Sequence, residues 1–383
     1  MYNILVVDDS ALMRKVICDI ISSDESFHIA DVSADGEDAY NKIKNESYDL
    51  VLLDMVLPKL TAVQLLQKLG DEHVSCNVVL MSSSLREDAE GTLKAMELGA
   101  LDFVLKPLRS TPESRMEFAN TLLKALHVVA NACRGSRKSL HLIQSNTHAT
   151  AHRTTGTISS TIRPTRPNVT AQVSNQSTAK PPVVAGTSIK GKKIIALACS
   201  TGGPQALLTF VPMLPASLKY PVVIVQHIPV GFSASLANRL DQVSAIHVKE
   251  AEEGEFFEPG CVYITPGGKH MEIRENSNHS SYCHLNDDPP IGSLKPCADV
   301  MYRSLISSSY EEIICVVLTG MGADGSEGIR DLSAKKKTYV ISQDASTCVV
   351  YGMPKAVATK GLSNEVVPLK DVANSIVKKL GGL

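Results

Sequence analysis

Residues 194–208 read "IIALACSTGGPQALL". Six apolar or small residues run into Ser200, and the chain then bends on Gly202, Gly203 and Pro204. A short continuous apolar run bounded by turn residues reads as a buried strand. Proline just inside the start of the next apolar pattern marks a helix N-terminus. Strand, tight bend and helix in that order are one unit of a parallel α/β sheet, and Ser200 stands at the end of its strand. Serine and glycine are ordinary turn residues, so the rest of the chain decides whether Ser200 is more than that.

Outward from this stretch the pattern repeats. "YPVVIVQH" (220–227) and "EIICVVLTG" (312–320) are further strands ending in polar or glycine-bearing loops. "KTYVISQD" (337–344) is a late strand, "DVMYRSLISS" (299–308) a helix, and "GCVYITPGGKHMEI" (260–273) a hairpin-like pair. In the first 130 residues, "NILVVDD", "FHIADVSADG", "YDLVLLDMVLP", "NVVLMSSS" and "LDFVLKP" are five short strands, each followed by a helical pattern. The last helix runs from Pro112 to about Ala132. Between the two regions lies a Ser/Thr-rich stretch with four prolines, "THATAHRTTGTISSTIRPTRPNVTAQVSNQSTAKPPVVAGTS", whose composition buries too little to order itself. The fold class is therefore α/β, with two doubly wound parallel-sheet domains: a (βα)5 unit over residues 1–125 and a Rossmann-like unit over 190–383. A flexible linker is expected over 126–189.

Charge is unevenly spread. Residues 1–117 carry 21 Asp/Glu against 11 Lys/Arg, whereas residues 118–240 hold 13 Lys/Arg and no acid. Those basic residues are scattered, and the chain has no Trp and few aromatics, so nucleic-acid binding is not expected. No apolar stretch reaches the roughly 18 residues of a membrane span, and no signal peptide is evident. Nine cysteines without a C-x-x-C pair fit reduced thiols and a cytoplasmic protein.

Two groups of residues carry chemistry. Asp8 and Asp9 close the first strand and Asp54 the third. Ligands of open α/β sheets gather at such carboxyl ends, and three adjoining carboxylates call for a hard divalent cation, Mg²⁺. Ser82 and Lys106 end the next two strands and would serve a phosphoryl group on Asp54. In the second region, Ser200, His227 and Asp324 each end or follow a strand, supplying a nucleophile, a base and an orienting acid to one rim. Their order differs from that of α/β-hydrolases, and the nucleophile lacks the G-x-S-x-G elbow.

Residues 1 to about 125 resemble a response-regulator receiver domain. The resemblance implies Asp54 as phosphoacceptor, Asp8, Asp9, Asp54 and the Val56 carbonyl as metal ligands, and Ser82, Phe103 and Lys106 as the phosphorylation switch. The loop "LPKLTA" (57–62) departs from the usual "MPxMDG". The remainder, with "CSTGGP", "VQHIP", "TPGGKHM", "TGMGADG" and "VYGMPKAV", resembles the CheB family of chemotaxis protein-glutamate methylesterases, and the likeness spans receiver, linker and catalytic domain in order. It implies Ser200 as nucleophile, His227 as general base and acid, Asp324 as its orienter, Met321 as a backbone oxyanion donor, and Thr201 as a neighbour positioning the histidine. It further implies hydrolysis of glutamate methyl esters on chemoreceptors with release of methanol, the related deamidation of glutamines, and phosphorylation by the chemotaxis histidine kinase. A signalling adaptor without catalysis is the alternative reading. The segments "LACSTGG" and "LKPCADVMYRS" depart from the usual "IGASTGG" and from a His-Arg-Pro-Ser segment before the helix.

Overall fold

The computed structural model describes residues 1–82, 86–107, 111–144 and 191–381, with only the helical backbone over 86–88 and 133–144. The rest of the expected linker, and with it the middle of the acid-free basic stretch, lies outside the described residues. In the N-terminal domain β1 (Tyr2–Val7), α1 (Ala11–Ser22), β2 (Phe27–Ser33), α2 (Gly36–Asn45), β3 (Leu50–Asp54), α3 (Ala62–Asp71), β4 (Val78–Ser82), α4 (Arg86–Glu97), β5 (Asp102–Leu105) and α5 (Pro112–Gln144) alternate without exception. The five strands pair in parallel in the order β2-β1-β3-β4-β5. Each sheet face is covered: Leu5, Val7, Leu53 and Leu80 belong to one apolar cluster, and Ile4, Val6, Leu52 and Val79 to the other. This alternation explains why the strands read as unbroken apolar runs, since a parallel sheet is buried on both sides.

The domain does not end at residue 125. Phe118, Leu122, Ala125, Leu126, Val129 and Ala130 recur at helical spacing and are buried against the sheet. The start of the expected linker is thus the far half of α5, whose backbone continues to Gln144. Past the expected helix end near Ala132, serine, arginine and histidine hid the rest of a helix whose anchoring face lies upstream.

The C-terminal domain comprises β6 (Lys193–Cys199), α6 (Gly203–Phe210), β7 (Val222–Gln226), α7 (Phe232–Val243), β8 (His247–Glu250), β9 (Cys261–Ile264), β10 (His270–Glu275), β11 (Ser281–Asn286), α8 (Ala298–Ser304), β12 (Glu312–Val317), α9 (Ser326–Ser333), β13 (Lys337–Gln343), α10 (Met353–Thr359), β14 (Glu365–Val367) and α11 (Leu369–Lys379). Seven strands form one parallel sheet ordered β14-β13-β12-β6-β7-β9-β8. The hairpin expected over 260–273 does not form. All four residues of β9 are buried, so β9 sits inside the large sheet between β7 and β8, and β10 pairs antiparallel with β11 instead. The order reverses direction at β6, which has β7 on one side and β12 on the other; ligands of doubly wound sheets bind at such a switch point.

The two α/β domains pack together. Ala89 and Leu93 of α4 join the apolar cluster beneath α6 and α7, Phe103 stacks on Phe232 with ring centroids 4.8 Å apart, and the Arg239 guanidinium grips both oxygens of the Glu97 carboxylate. Asp102 at the head of β5 accepts hydrogen bonds from the Phe103 N–H and from the Thr201 hydroxyl, both at 2.9 Å. Burial raises the Asp102 carboxyl from its ordinary 3.8 to about 6, against the pull of those two hydrogen bonds. A carboxyl raised in this way holds its proton more tightly in the folded chain than in the unfolded one, so it favours folding most below about pH 4 and loses that contribution as pH rises towards 6. Asp102→Asn keeps an acceptor oxygen but has no charge to bury. The difference in urea-unfolding stability between Asp102→Asn and wild type is expected to grow in the variant's favour from pH 4 to 6.5; a difference independent of pH would show that the ionised carboxylate carries no burial cost.

Candidate active site and phosphoacceptor pocket

The register of the large sheet assembles the first site. Cys199 pairs with Gln226, and Ala198 with Val317, so β6, β7 and β12 end at one level. Just beyond, the Ser200 N–H donates to the Thr319 carbonyl at 3.0 Å and the His227 N–H to the Cys199 carbonyl at 3.1 Å. Gly320 allows this approach: a Cβ there would lie 2.8 Å from the Ser200 Cβ. Gly202 takes φ 75°, a left-handed conformation that opens α6 directly after the serine.

His227 Nε2 lies 2.7 Å from Asp324 Oδ2, with both side chains almost wholly buried. Asp324 also accepts from the Ala298 N–H (2.7 Å), the Asp299 N–H (3.0 Å), its neighbour's Gly325 N–H (2.9 Å) and the Cys297 thiol (3.2 Å). Burial alone would raise this carboxyl. The His227 hydrogen bond and charge, together with the amides of Ala298 and Asp299, outweigh it and hold the group at about 2. Asp324 is therefore a carboxylate throughout the range in which proteins stay folded. Its bond to Nε2 leaves Nδ1 as the imidazole nitrogen with no protein partner among the described residues. Ser200 lies on the same rim, and no hydrogen bond joins its hydroxyl to His227 in this arrangement. The Met321 N–H has no acceptor among the described residues, and its side chain is 40% exposed at the rim.

Thr201 departs from expectation. Its hydroxyl donates to Asp102 of β5 rather than to His227, because the bend turns it towards the packed N-terminal domain. The positioning of the two turns falls instead to Gln226 and Thr319. The Gln226 amide donates to the carbonyls of Ser200 (3.0 Å) and His227 (2.9 Å) and accepts from the Cys199 thiol (3.0 Å). The Thr319 hydroxyl donates to the Thr201 carbonyl at 2.9 Å and receives the Val350 N–H at 2.9 Å. Neither is recognisable in sequence, where each is one polar residue among several at a strand end. Cys199 itself is fully buried, and burial pushes its thiol far above the ordinary range, which suits a strand residue and not a nucleophile.

The second site lies at the matching edge of the N-terminal sheet. One carboxylate oxygen from each of Asp8, Asp9 and Asp54 falls within a 4.8 Å cluster. Lys106 Nζ stands 2.8 Å from Asp8 and 2.6 Å from Asp54. Burial raises the Asp54 carboxyl, and the Lys106 ammonium only partly offsets it; burial lowers the Lys106 ammonium, and Asp54 and Asp8 more than restore it. Val56 follows in the next turn and its N–H donates to Asp54. Ser82 is fully buried and receives the Thr92 hydroxyl at 3.1 Å. Phe103, on the neighbouring strand, is committed to Phe232 of the other domain.

Comparison with known proteins finds relatives for both domains. Residues 195–376 match the CheB methylesterase family and residues 4–113 the response regulator receiver domain. A protein-glutamate methylesterase/protein-glutamine glutaminase of Syntrophomonas wolfei is 36% identical over 383 residues, covering 99% of each chain. One of Bacillus subtilis is 37% identical over 376 residues, covering 98% of each. The crystal structure of the Thermotoga maritima CheB methylesterase catalytic domain is 38% identical and covers 50% of this chain and 100% of its own, with a TM-score of 0.47. Family matches to both domains and relatives above one-third identity along the whole length lead to one conclusion: the chain belongs to the CheB methylesterase family, with a response-regulator receiver domain ahead of its catalytic domain.

Proposed function

We propose that the protein is a phosphorylation-activated serine hydrolase that cleaves glutamate methyl esters, and deamidates glutamines, on chemoreceptors in chemotaxis adaptation. The observation that carries the reading is the 2.7 Å pairing of His227 with the Asp324 carboxylate beside Ser200, at the switch point of the sheet; the names of the full-length relatives supply the substrate class. In this reading the imidazole takes the Ser200 proton as the hydroxyl oxygen attacks the ester carbonyl. Asp324 stabilises the resulting imidazolium, and the Met321 N–H donates to the developing oxyanion. The imidazolium returns its proton to the departing methoxide, which leaves as methanol. Water, deprotonated by His227, then releases the glutamate carboxylate and regenerates Ser200.

Regulation is read from the first domain. The clustered oxygens of Asp8, Asp9 and Asp54 are hard donors that suit Mg²⁺, with the Val56 carbonyl as a further ligand. When bound, the cation would neutralise charge on a phosphoryl group transferred to Asp54. Lys106 would pair with that group, and Ser82 and Phe103 would relay its presence. Phe103 and Asp102 already contact the catalytic domain at Phe232 and Thr201, one residue from the nucleophile, which supports control through this interface. The phosphodonor would be the chemotaxis histidine kinase. Among the described residues no helix is long and apolar enough to cross a membrane; the reading places the enzyme in the cytoplasm, acting on receptors without inserting beside them and without a nucleic-acid partner.

Methanol release from methylated chemoreceptor membranes tests the proposal. A small-molecule phosphodonor is expected to raise release by wild type but not by Asp54→Asn, and Ser200→Ala should lower it at least about a thousandfold. No Ser200-dependent release from folded, phosphorylated protein would favour a non-catalytic adaptor. In calorimetric titration the unphosphorylated chain should bind Mg²⁺, and Asp9→Asn should weaken binding at least about tenfold; equal affinity would remove Asp9 from the ligand set.

A further inference from the structure

Asp324 owes its orientation to a helix start that lacks a cap of its own. The residue before α8, Cys297, is extended (φ −123°, ψ 127°) and makes no side-chain bond back to the helix, where Ser, Thr, Asp or Asn would accept from the second or third amide. Asp324 takes that role from the neighbouring loop, receiving the Ala298 N–H on Oδ2 and the Asp299 N–H on Oδ1. Cys297 is thereby freed to turn its sulfur onto the same carboxylate, 3.2 Å from Oδ1. Among the described residues, Cys297 and His227 are the two side chains that bond Asp324, one on each oxygen. Cys297 is 2% exposed. Burial and the adjacent Asp324 charge push its thiol up to about 12, so it is a protonated donor and no competing nucleophile.

We propose that Cys297 is a positioning residue for ester hydrolysis: its S–H donates to Asp324 Oδ1 and fixes the carboxylate rotation that presents Oδ2 to His227 Nε2. The terminal torsion of an aspartate is broad, so its setting comes from the donors around it. The backbone amides belong to the fold, whereas the thiol is a side chain that this sequence supplies within "LKPCADVMYRS". The inference rests on the Ser200, His227 and Asp324 reading above.

Steady-state ester hydrolysis by the full chain tests it, with Cys297→Ala, Cys297→Ser and the same pair in an Asp324→Asn background, each checked by thermal unfolding. Cys297→Ala is expected to lower kcat about fivefold or more with KM unchanged. Cys297→Ser, which keeps a donor, should restore at least half of the wild-type kcat. In Asp324→Asn the alanine substitution should change kcat less than about twofold, since the carboxylate it serves is gone. An unchanged kcat in Cys297→Ala, an equal loss in the Asp324→Asn background, or failure of a folded Cys297→Ser to recover would overturn the inference while leaving Ser200-dependent hydrolysis standing. Wild-type protein without Ser200-dependent hydrolysis would instead overturn the reading beneath it, and the inference with it.

Discussion

Parallel pairing of β6 with both β7 and β12 is the constraint on which the catalytic domain depends. Parallel strands are joined by crossovers, so all of them deliver their carboxyl ends to the same edge. The pairing of Cys199 with Gln226 and of Ala198 with Val317 levels three loops from distant parts of the chain. Ser200, His227 and the turn leading to Asp324 therefore meet through backbone register before any side chain makes a contact. The sheet can hold that register because both of its faces are buried: Ile195, Leu197 and Ile224 point to one apolar cluster, and Ala196, Ala198 and Val223 to the other. A slip of one residue would exchange those faces and move every rim residue with them.

Polar groups at the rim are then bought into a largely dry setting by complete hydrogen bonding. Gln226 and Asp324 illustrate two versions of the same solution. A buried amide satisfies its donors on two carbonyls and its acceptor on a thiol. A buried carboxylate divides its oxygens among amides, a thiol and an imidazole. Left unpaired, either group would cost several times what it contributes when satisfied. The consequence is a histidine anchored on one side only, with Nδ1 left for chemistry.

The N-terminal domain uses the same edge architecture for a different purpose. Its carboxylates converge, and Lys106 pairs with two of them, Asp8 and Asp54, against their mutual repulsion. The helix and strand beside that pocket, α4 and β5, are also the surfaces packed on the catalytic domain, through Leu93, Glu97, Asp102 and Phe103. Pocket and interface thus share elements: Thr92 of α4 reaches Ser82, while Leu93 next to it faces α6 and α7. Adjacent residues of one helix thus touch the pocket and the interface.

By itself the sequence determined the α/β class, the two sheets and the strand ends on which the candidate site residues stand, because apolar runs and the residues that interrupt them are local properties of the chain. The placement of Asp8, Asp54, Lys106, Ser200, His227 and Asp324 at or just after strand ends was legible for that reason. What only the tertiary structure decided was partnership. The order β12-β6-β7, the insertion of β9 between β7 and β8, the turning of Thr201 towards Asp102 and of Cys297 towards Asp324 all depend on contacts between residues far apart in the chain. Such contacts are settled by burial and hydrogen-bond satisfaction in the folded state, and a residue's neighbours along the chain carry no record of them.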